Sequence, residues 1–293
     1  MPRATANGIE LEYETFGNQG SSPLLLIAGL GTQLLSWDEE WCRLLVGRGF
    51  YVIRFDNRDV GLSTRMESKG LPDLSDVMGG AVPPPYLLTD MASDAAGLLD
   101  ALGLPAAHVA GASMGGYIAQ LLALEHPDRV ISLTAMISGP APREGFPATL
   151  EGAAVLLTPP AKTREGRIAQ GVEIRRALVG SADPIDEEVE WRRSQRADDR
   201  AFYPAGAARQ LMATLSAEPW LERLSAVDVP ALVVGGVDDI LVPVENARAI
   251  AAAIPGARLI EIDGMGHDLP KRGWSQIADA IAELAARQSA TAC

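Results

Sequence analysis

The chain has 293 residues, 47% of them hydrophobic and 22% charged. That is long enough for one large domain or two smaller ones, with the balance of a globular protein and not of a fibrous or disordered one. Net charge is −13, and lysine occurs only at Lys69, Lys162 and Lys271. With no basic cluster interleaved with aromatics, nucleic acid is excluded as a partner, and the acidic surface disfavours anionic membranes.

No apolar leader follows the basic start and no apolar run approaches ~18 residues, so the chain reads as cytosolic with no membrane span. Its two cysteines, Cys42 and Cys293, lie far apart, and the second ends the chain, which argues against a structural disulfide.

Ile9, Leu11 and Tyr13 alternate with Glu10, Glu12 and Glu14, the pattern of a strand with one wet face. Leu24 to Ala28 is a continuous apolar run, as expected of a strand covered on both sides, and it ends in Gly29-Leu30-Gly31. Ser36 with Glu39 three residues on predicts a capping box; Trp41, Leu44 and Leu45 form the helical stripe, and Gly49 stops it. Tyr51 to Phe55 is the next buried strand. A polar turn, Asp56 to Ser63, follows, and then a loop-like stretch over 65–85. Thr89 is the expected cap of a helix carrying Met91, Ala95, Leu98 and Leu102.

Val109 and Ala110 form a short strand that runs into Gly111-Ala112-Ser113-Met114-Gly115, a G-x-S-x-G match, and then into a helical pattern from Tyr117. A serine on such a turn is held off the end of the sheet beside the helix's unpaired N–H groups. Glycine two residues either side leaves room where a Cβ would clash. Val130 to Ile137 is another strand.

From about 140 to 220 strand signals vanish and prolines punctuate short helical patterns, an all-helical insertion. Its arginines, such as Arg192, Arg193 and Arg196, are expected on a solvated helix face. Strand and helix then alternate again: Ala231 to Val234, a helix whose first turn would begin at Pro243, Leu259 to Ile262, and a helix carrying Trp274, Ile277, Ile281 and Leu284. Alternation of this kind predicts a parallel sheet covered by helices, with ligands bound beyond the carboxyl ends of the strands. The expected organisation is a core from 1–139, a helical cap over 140–222, and the rest of the core over 223–293.

A nucleophilic serine needs a base and an orienting acid. Of three histidines, His108 precedes Ser113 at the wrong end of its strand, and His126 closes the following helix. His267, in Gly264-Met265-Gly266-His267, is the one on the carboxyl-end rim. The acid is expected after Ala231–Val234, where Asp238 and Asp239 both stand; either suits the role, and either also suits turn and cap hydrogen bonds.

Four stretches resemble the α/β-hydrolase fold over essentially the whole chain: Ala28-Gly29-Leu30-Gly31, Asp56 to Ser63, Gly111 to Gly116, and Gly264 to His267. Among subfamilies the chain is most similar to the aclacinomycin methylesterase-like esterases, and more distantly to enol-lactonases and cofactor-free haloperoxidases. The resemblance implies a mostly parallel twisted sheet flanked by helices, with a helical cap after the sixth strand. It implies Ser113 as nucleophile and His267 as base. The family's acid motif, a Gly, two residues, the Asp and a Pro four later, is matched by Gly236, Asp239 and Pro243, which selects Asp239. It implies an oxyanion hole at the Leu30 and Met114 N–H groups, with Asp56 and Arg58 as structural turn residues. Two departures are Ala28, where many relatives carry His, and Asp59, where Gly is common.

The implied activity is hydrolysis of an ester or lactone through an acyl-enzyme, with no metal or cofactor and a small-molecule partner, in a monomer or homodimer. Alternatives on the same residues are a C–C bond hydrolase, a perhydrolase, or a slow-turnover ligand sensor. The serine is incompatible with siblings that use a carboxylate nucleophile. Trp37, Trp191, Met212, Ile240 and Leu241 are the candidate pocket liners.

Overall fold

A computed structural model describes residues 1–291; Cys293 lies outside them. Eight strands form one sheet in the order β1-β2-β4-β3-β5-β6-β7-β8. The strands are β1 (Arg3–Ala6), β2 (Ile9–Phe16), β3 (Ser22–Ile27), β4 (Phe50–Phe55), β5 (Ala107–Ala112), β6 (Val130–Met136), β7 (Ala231–Gly236) and β8 (Arg258–Ile262). β2 runs antiparallel to β1 and β4, and every pairing from β4 to β8 is parallel. The alternation in β2 therefore belongs to an antiparallel margin. The unbroken apolar runs belong to the interior, where Leu24 to Ile27 and Leu232 to Val234 are fully buried.

Helices α1 (Glu39–Val46), α2 (Leu74–Met78), α3 (Leu88–Ala101) and α4 (Met114–Glu125) occupy the first half. α5 (Leu150–Leu157), α6 (Arg164–Leu178), α7 (Glu187–Arg200) and α8 (Pro204–Leu215) fill the stretch between β6 and β7. α9 (Val244–Ala253) and α10 (Lys271–Thr291) complete the chain. One hydrophobic cluster packs α3, α4 and α9 on one face of the sheet. A second packs α1 and α10 on the other. Among the described residues no helix is long and apolar enough to cross a membrane.

Several helix starts differ from expectation. Leu34–Ser36 is a single 3₁₀ turn, and α1 is capped by Asp38, whose carboxylate accepts the Glu40 N–H at 2.9 Å. Trp37 is turned into the core, which leaves Asp38 at the helix entrance; Glu39 pairs instead with Arg43 at 2.7 Å. Thr89 lies inside α3, whose start is closed by Asp90 accepting the Leu87 N–H at 2.8 Å. Pro243 is the N-cap of α9, where its first turn begins. The 65–85 stretch contains α2 and a 3₁₀ turn at Glu67–Lys69.

Cap arginines do more than face solvent. Arg192 pairs within its own helix with Glu188, but Arg193 reaches Asp38 at 3.1 Å and Arg196 reaches Glu39 at 3.3 Å across to α1. Two others are sunk between α7 or α8 and the turn after β4. Arg209 holds Asp59 through two 2.8 Å bonds, and Arg200 holds Asp56 at 2.7 Å. Asp59 sits at φ 69°, where glycine is usual, and its side chain is spent on Arg209 and the Met66 N–H. Arg58 forms a buried pair with Asp94.

His108 is buried between Ser132 Oγ at 2.8 Å and Ser22 Oγ at 3.2 Å, joining neighbouring strands. His126 closes α4, its ring 3.3 Å from Ser93 Oγ. Cys42 is a buried free thiol, pushed up to about 12 by burial.

Candidate active site

β5 ends and α4 begins with one residue between them, Ser113, at φ 56° and ψ −123°. A side chain at positive φ is strained, so the surrounding structure must impose it. The imposing contacts are backbone on backbone. A Cβ on Gly111 would lie 2.0 Å from Gly115 O, and one on Gly115 would lie 2.0 Å from Ile27 O. The chain can thus turn from strand to helix against β3 only with bare backbone at both positions. A Cβ on Gly29 would meet Ser113 Cβ at 3.3 Å, which sets the loop after β3 directly against the serine.

His267 Nε2 lies 2.9 Å from Ser113 Oγ, and His267 Nδ1 lies 2.8 Å from Asp239 Oδ2. Asp239 Oδ1 accepts the N–H groups of Leu241 at 2.9 Å and Val242 at 2.7 Å. One carboxylate oxygen therefore makes the turn and the other faces the imidazole, so the capping role and the histidine contact coexist in one residue. Asp238 turns away, accepting the Ser181 N–H at 3.0 Å and its hydroxyl; these bonds hold its carboxyl below the ordinary range. Side chains of His267 and Asp239 are both buried. The backbone N–H of His267 donates to Leu178 O at 2.8 Å, tying the histidine loop to the end of α6.

Leu30 and Met114 flank Ser113, one on the loop after β3 and the other at the first residue of α4. Among the described residues neither N–H donates to a protein acceptor. The Met114 N–H is unpaired because the first N–H groups of a helix have no partner within it, while the Leu30 N–H belongs to the loop after β3.

A cavity of about 500 Å³ opens over Ser113 and His267. Trp37, Trp41, Val155, Leu156, Ile174 and Leu241 give it apolar walls, while Asp38, Arg175, Arg193 and Asp268 make one side polar. Trp37 and Leu241 both border it. Trp191 is partly exposed on α7, Met212 is buried inside α8, and Ile240 offers its carbonyl to the Thr149 N–H at 2.9 Å; none of these three borders the cavity. Val155, Leu156 and Ile174 carry no mark in the sequence as wall residues, because short helical patterns do not reveal which face turns inward. Asp268, next to His267, is buried and binds Arg175 at 2.8 Å; burial pushes its carboxyl up. A neighbouring cavity of about 380 Å³ shares Arg175, Arg193, Asp268, Leu269 and Trp274 as its partition.

The family model described as alpha/beta hydrolase fold matches residues 22–271, and the chain belongs to that family. Within it the chain is 34% identical to Rhodomycin D methylesterase DnrP of Streptomyces peucetius, over 94% of this chain and 95% of that one. It is 30% identical to the putative carbamate hydrolase RutD of Azorhizobium caulinodans, over 91% of each. Among solved structures, the meta-cleavage product hydrolase of Pseudomonas fluorescens superposes with a TM-score of 0.75 at 20% identity, covering 97% of both chains. The enol-lactonase of Burkholderia xenovorans gives 0.71 at 23% identity, covering 99% of this chain and 100% of that one. Those two likenesses concern the fold.

Proposed function

We propose that this protein is a serine esterase that cleaves a carboxylic ester of a bulky, largely apolar molecule through an acyl-enzyme. The observation that carries the reading is the continuous hydrogen-bonded line Ser113–His267–Asp239 opening into an apolar-walled cavity. Likeness to methylesterases at 34% identity over nearly the full length supports an ester, and a methyl ester in particular.

In this mechanism Ser113 Oγ attacks the carbonyl carbon as His267 Nε2 takes its proton. Asp239 holds the imidazole in the tautomer with hydrogen on Nδ1 and stabilises the imidazolium. Leu30 and Met114 N–H groups receive the oxyanion, each donor contributing about 3–4 kcal/mol. The carbon–oxygen bond to the alcohol then breaks, and His267 returns its proton to that oxygen. Water, deprotonated by His267, attacks the acyl-enzyme; the acyl carbon–Oγ bond breaks, His267 returns the proton to Ser113 Oγ, and the acid is freed.

The test is a panel of methyl esters, lactones and 1,3-diketones, assayed with wild type and Ser113→Ala. The methyl esters should be turned over fastest, and Ser113→Ala should lower kcat by on the order of 10⁶. Turnover near wild type in the alanine variant, or cleavage confined to the diketones, would sink the proposal.

A further inference from the structure

The short loop that offers the Leu30 N–H is held from outside itself. Gly31 adopts φ 66°, and its N–H donates to Gln210 Oε1 at 2.8 Å. Gln210 is a fully buried residue of α8, and its Nε2 donates to Arg58 O at 2.8 Å in the turn after β4. Two residues along the loop, Gln33 donates to Ala197 O at 2.8 Å and Ala201 O at 3.0 Å, at the end of α7. Arg200 donates to Gln33 Oε1 at 2.7 Å and also pairs with Asp56, which accepts the Leu34 N–H at 2.7 Å. The loop is therefore gripped at residues 31, 33 and 34 by helices inserted after β6 or by the turn they clamp.

The Gly31 N–H belongs to the peptide plane that follows Leu30. Holding that plane anchors the chain immediately beyond Leu30 and so narrows the range over which the Leu30 N–H, one φ, ψ pair away, can swing. An amide at 210 suits the position because it accepts from Gly31 with one atom and donates to Arg58 with the other. A side chain lacking both would leave the Gly31 N–H without its protein acceptor and the buried Arg58 carbonyl unpaired.

We propose that Gln210 is a positioning residue for transition-state stabilisation: it orients the Leu30 N–H through Gly31, so the oxyanion site is complete only with α8 docked. This rests on the reading of Ser113 as an acyl-transfer nucleophile.

The experiment compares wild type, Gln210→Met and Gln210→Glu in the full chain. Met keeps the length of the side chain without either hydrogen bond; Glu keeps an acceptor for Gly31. Readouts are kcat and KM on a methyl ester, the affinity of an aryl trifluoromethyl ketone that traps a tetrahedral oxyanion, the melting temperature, and fluorophosphonate labelling of Ser113. Gln210→Met should lose about 10- to 100-fold in kcat and the same factor in ketone affinity, with KM within about threefold. Gln210→Glu should stay within about fivefold of wild type. The proposal is overturned if folded Gln210→Met keeps kcat and ketone affinity, if only KM changes, or if Gln210→Glu loses as much as Met. Should Gln210→Met not fold, Gln210→Ala takes its place under the same criteria: loss of kcat and ketone affinity with KM kept supports the assignment, and their retention overturns it. Wild type that forms no adduct at Ser113 removes the esterase reading itself. An adduct with unchanged Gln210→Met kinetics removes only the role of Gln210.

Discussion

Gly115→Ala should separate catalysis from folding. The added Cβ would stand 2.0 Å from Ile27 O and 2.8 Å from Ala28 O, whereas real Cβ atoms essentially never approach closer than 3.0 Å. Both obstacles are backbone, so no side chain can swing aside; α4 and the end of β3 must part by about 1 Å. Overpacking of this kind costs about 1–3 kcal/mol, a fall in Tm of about 2–5 °C for a chain of this size. The displacement falls between Ser113 and the Leu30 loop, where about 1 Å of misplacement costs ~10²-fold in rate. The assay is kcat per active site, titrated with an organophosphonate, alongside thermal melting by circular dichroism. Gly273→Ala in α10 is the control, because its Cβ would make ordinary contacts at 3.4 Å with Ile262 and 3.8 Å with Ile277. It should match or exceed wild-type stability with unchanged kcat. If Gly115→Ala equals the control in both measurements, the backbone contact does not set the serine.

Asp239→Asn should lower kcat by about 10⁴, since an amide presents its N–H₂ to the imidazole and favours the wrong tautomer. Steady-state kinetics on the same ester check it, and a loss of under about tenfold would remove Asp239 from the orienting role. His108 supplies a pH test of the core. Burial lowers its pKa from 6.5 to about 4, so the unfolded chain binds the extra proton first. Its stabilising contribution is full above pH 6.5 and is lost as pH falls toward 4, by about 2 kcal/mol between pH 7 and 5. Asp56, Asp94 and Asp268 have carboxyls raised by burial and act in the opposite sense. The quantity to measure is therefore the urea-unfolding free energy of wild type against His108→Asn at both pH values. Parallel pH dependences would contradict the burial argument.

How much could be read in advance follows from the range of the forces involved. Leu24–Ile27 and Leu232–Val234 are legible as interior strands because burial on both faces leaves no polar alternation. Ser113 is legible because its strained turn demands glycine at fixed offsets, and the distances at Gly111 and Gly115 give that demand a magnitude. His267 emerges by elimination, which works only because the chain has three histidines.

Helix starts are less legible. Ser36 and Asp38, or Thr89 and Asp90, offer competing acceptors within two residues, and the packing of Trp37 or Leu88 chooses between them. Least legible are the clamps between cap and core. Asp59–Arg209 and Gly31–Gln210 join positions 150 and 179 residues apart, and no local period marks them. The one hint was Asp59 itself, an acid where the turn favours glycine. Trp191 shows the converse: a large apolar residue between β6 and β7 suggests a pocket wall from its type alone but lies partly in solvent.

The central claim is that Ser113 Oγ, 2.9 Å from His267 Nε2, is the one hydroxyl made reactive by its surroundings. Fluorophosphonate treatment of wild type and His267→Ala, followed by peptide mapping, measures this directly. The account predicts a single stoichiometric adduct on the Ser113 peptide of wild type and labelling slower by orders of magnitude in His267→Ala. An adduct on another residue, no adduct, or equal labelling of the two proteins would contradict it.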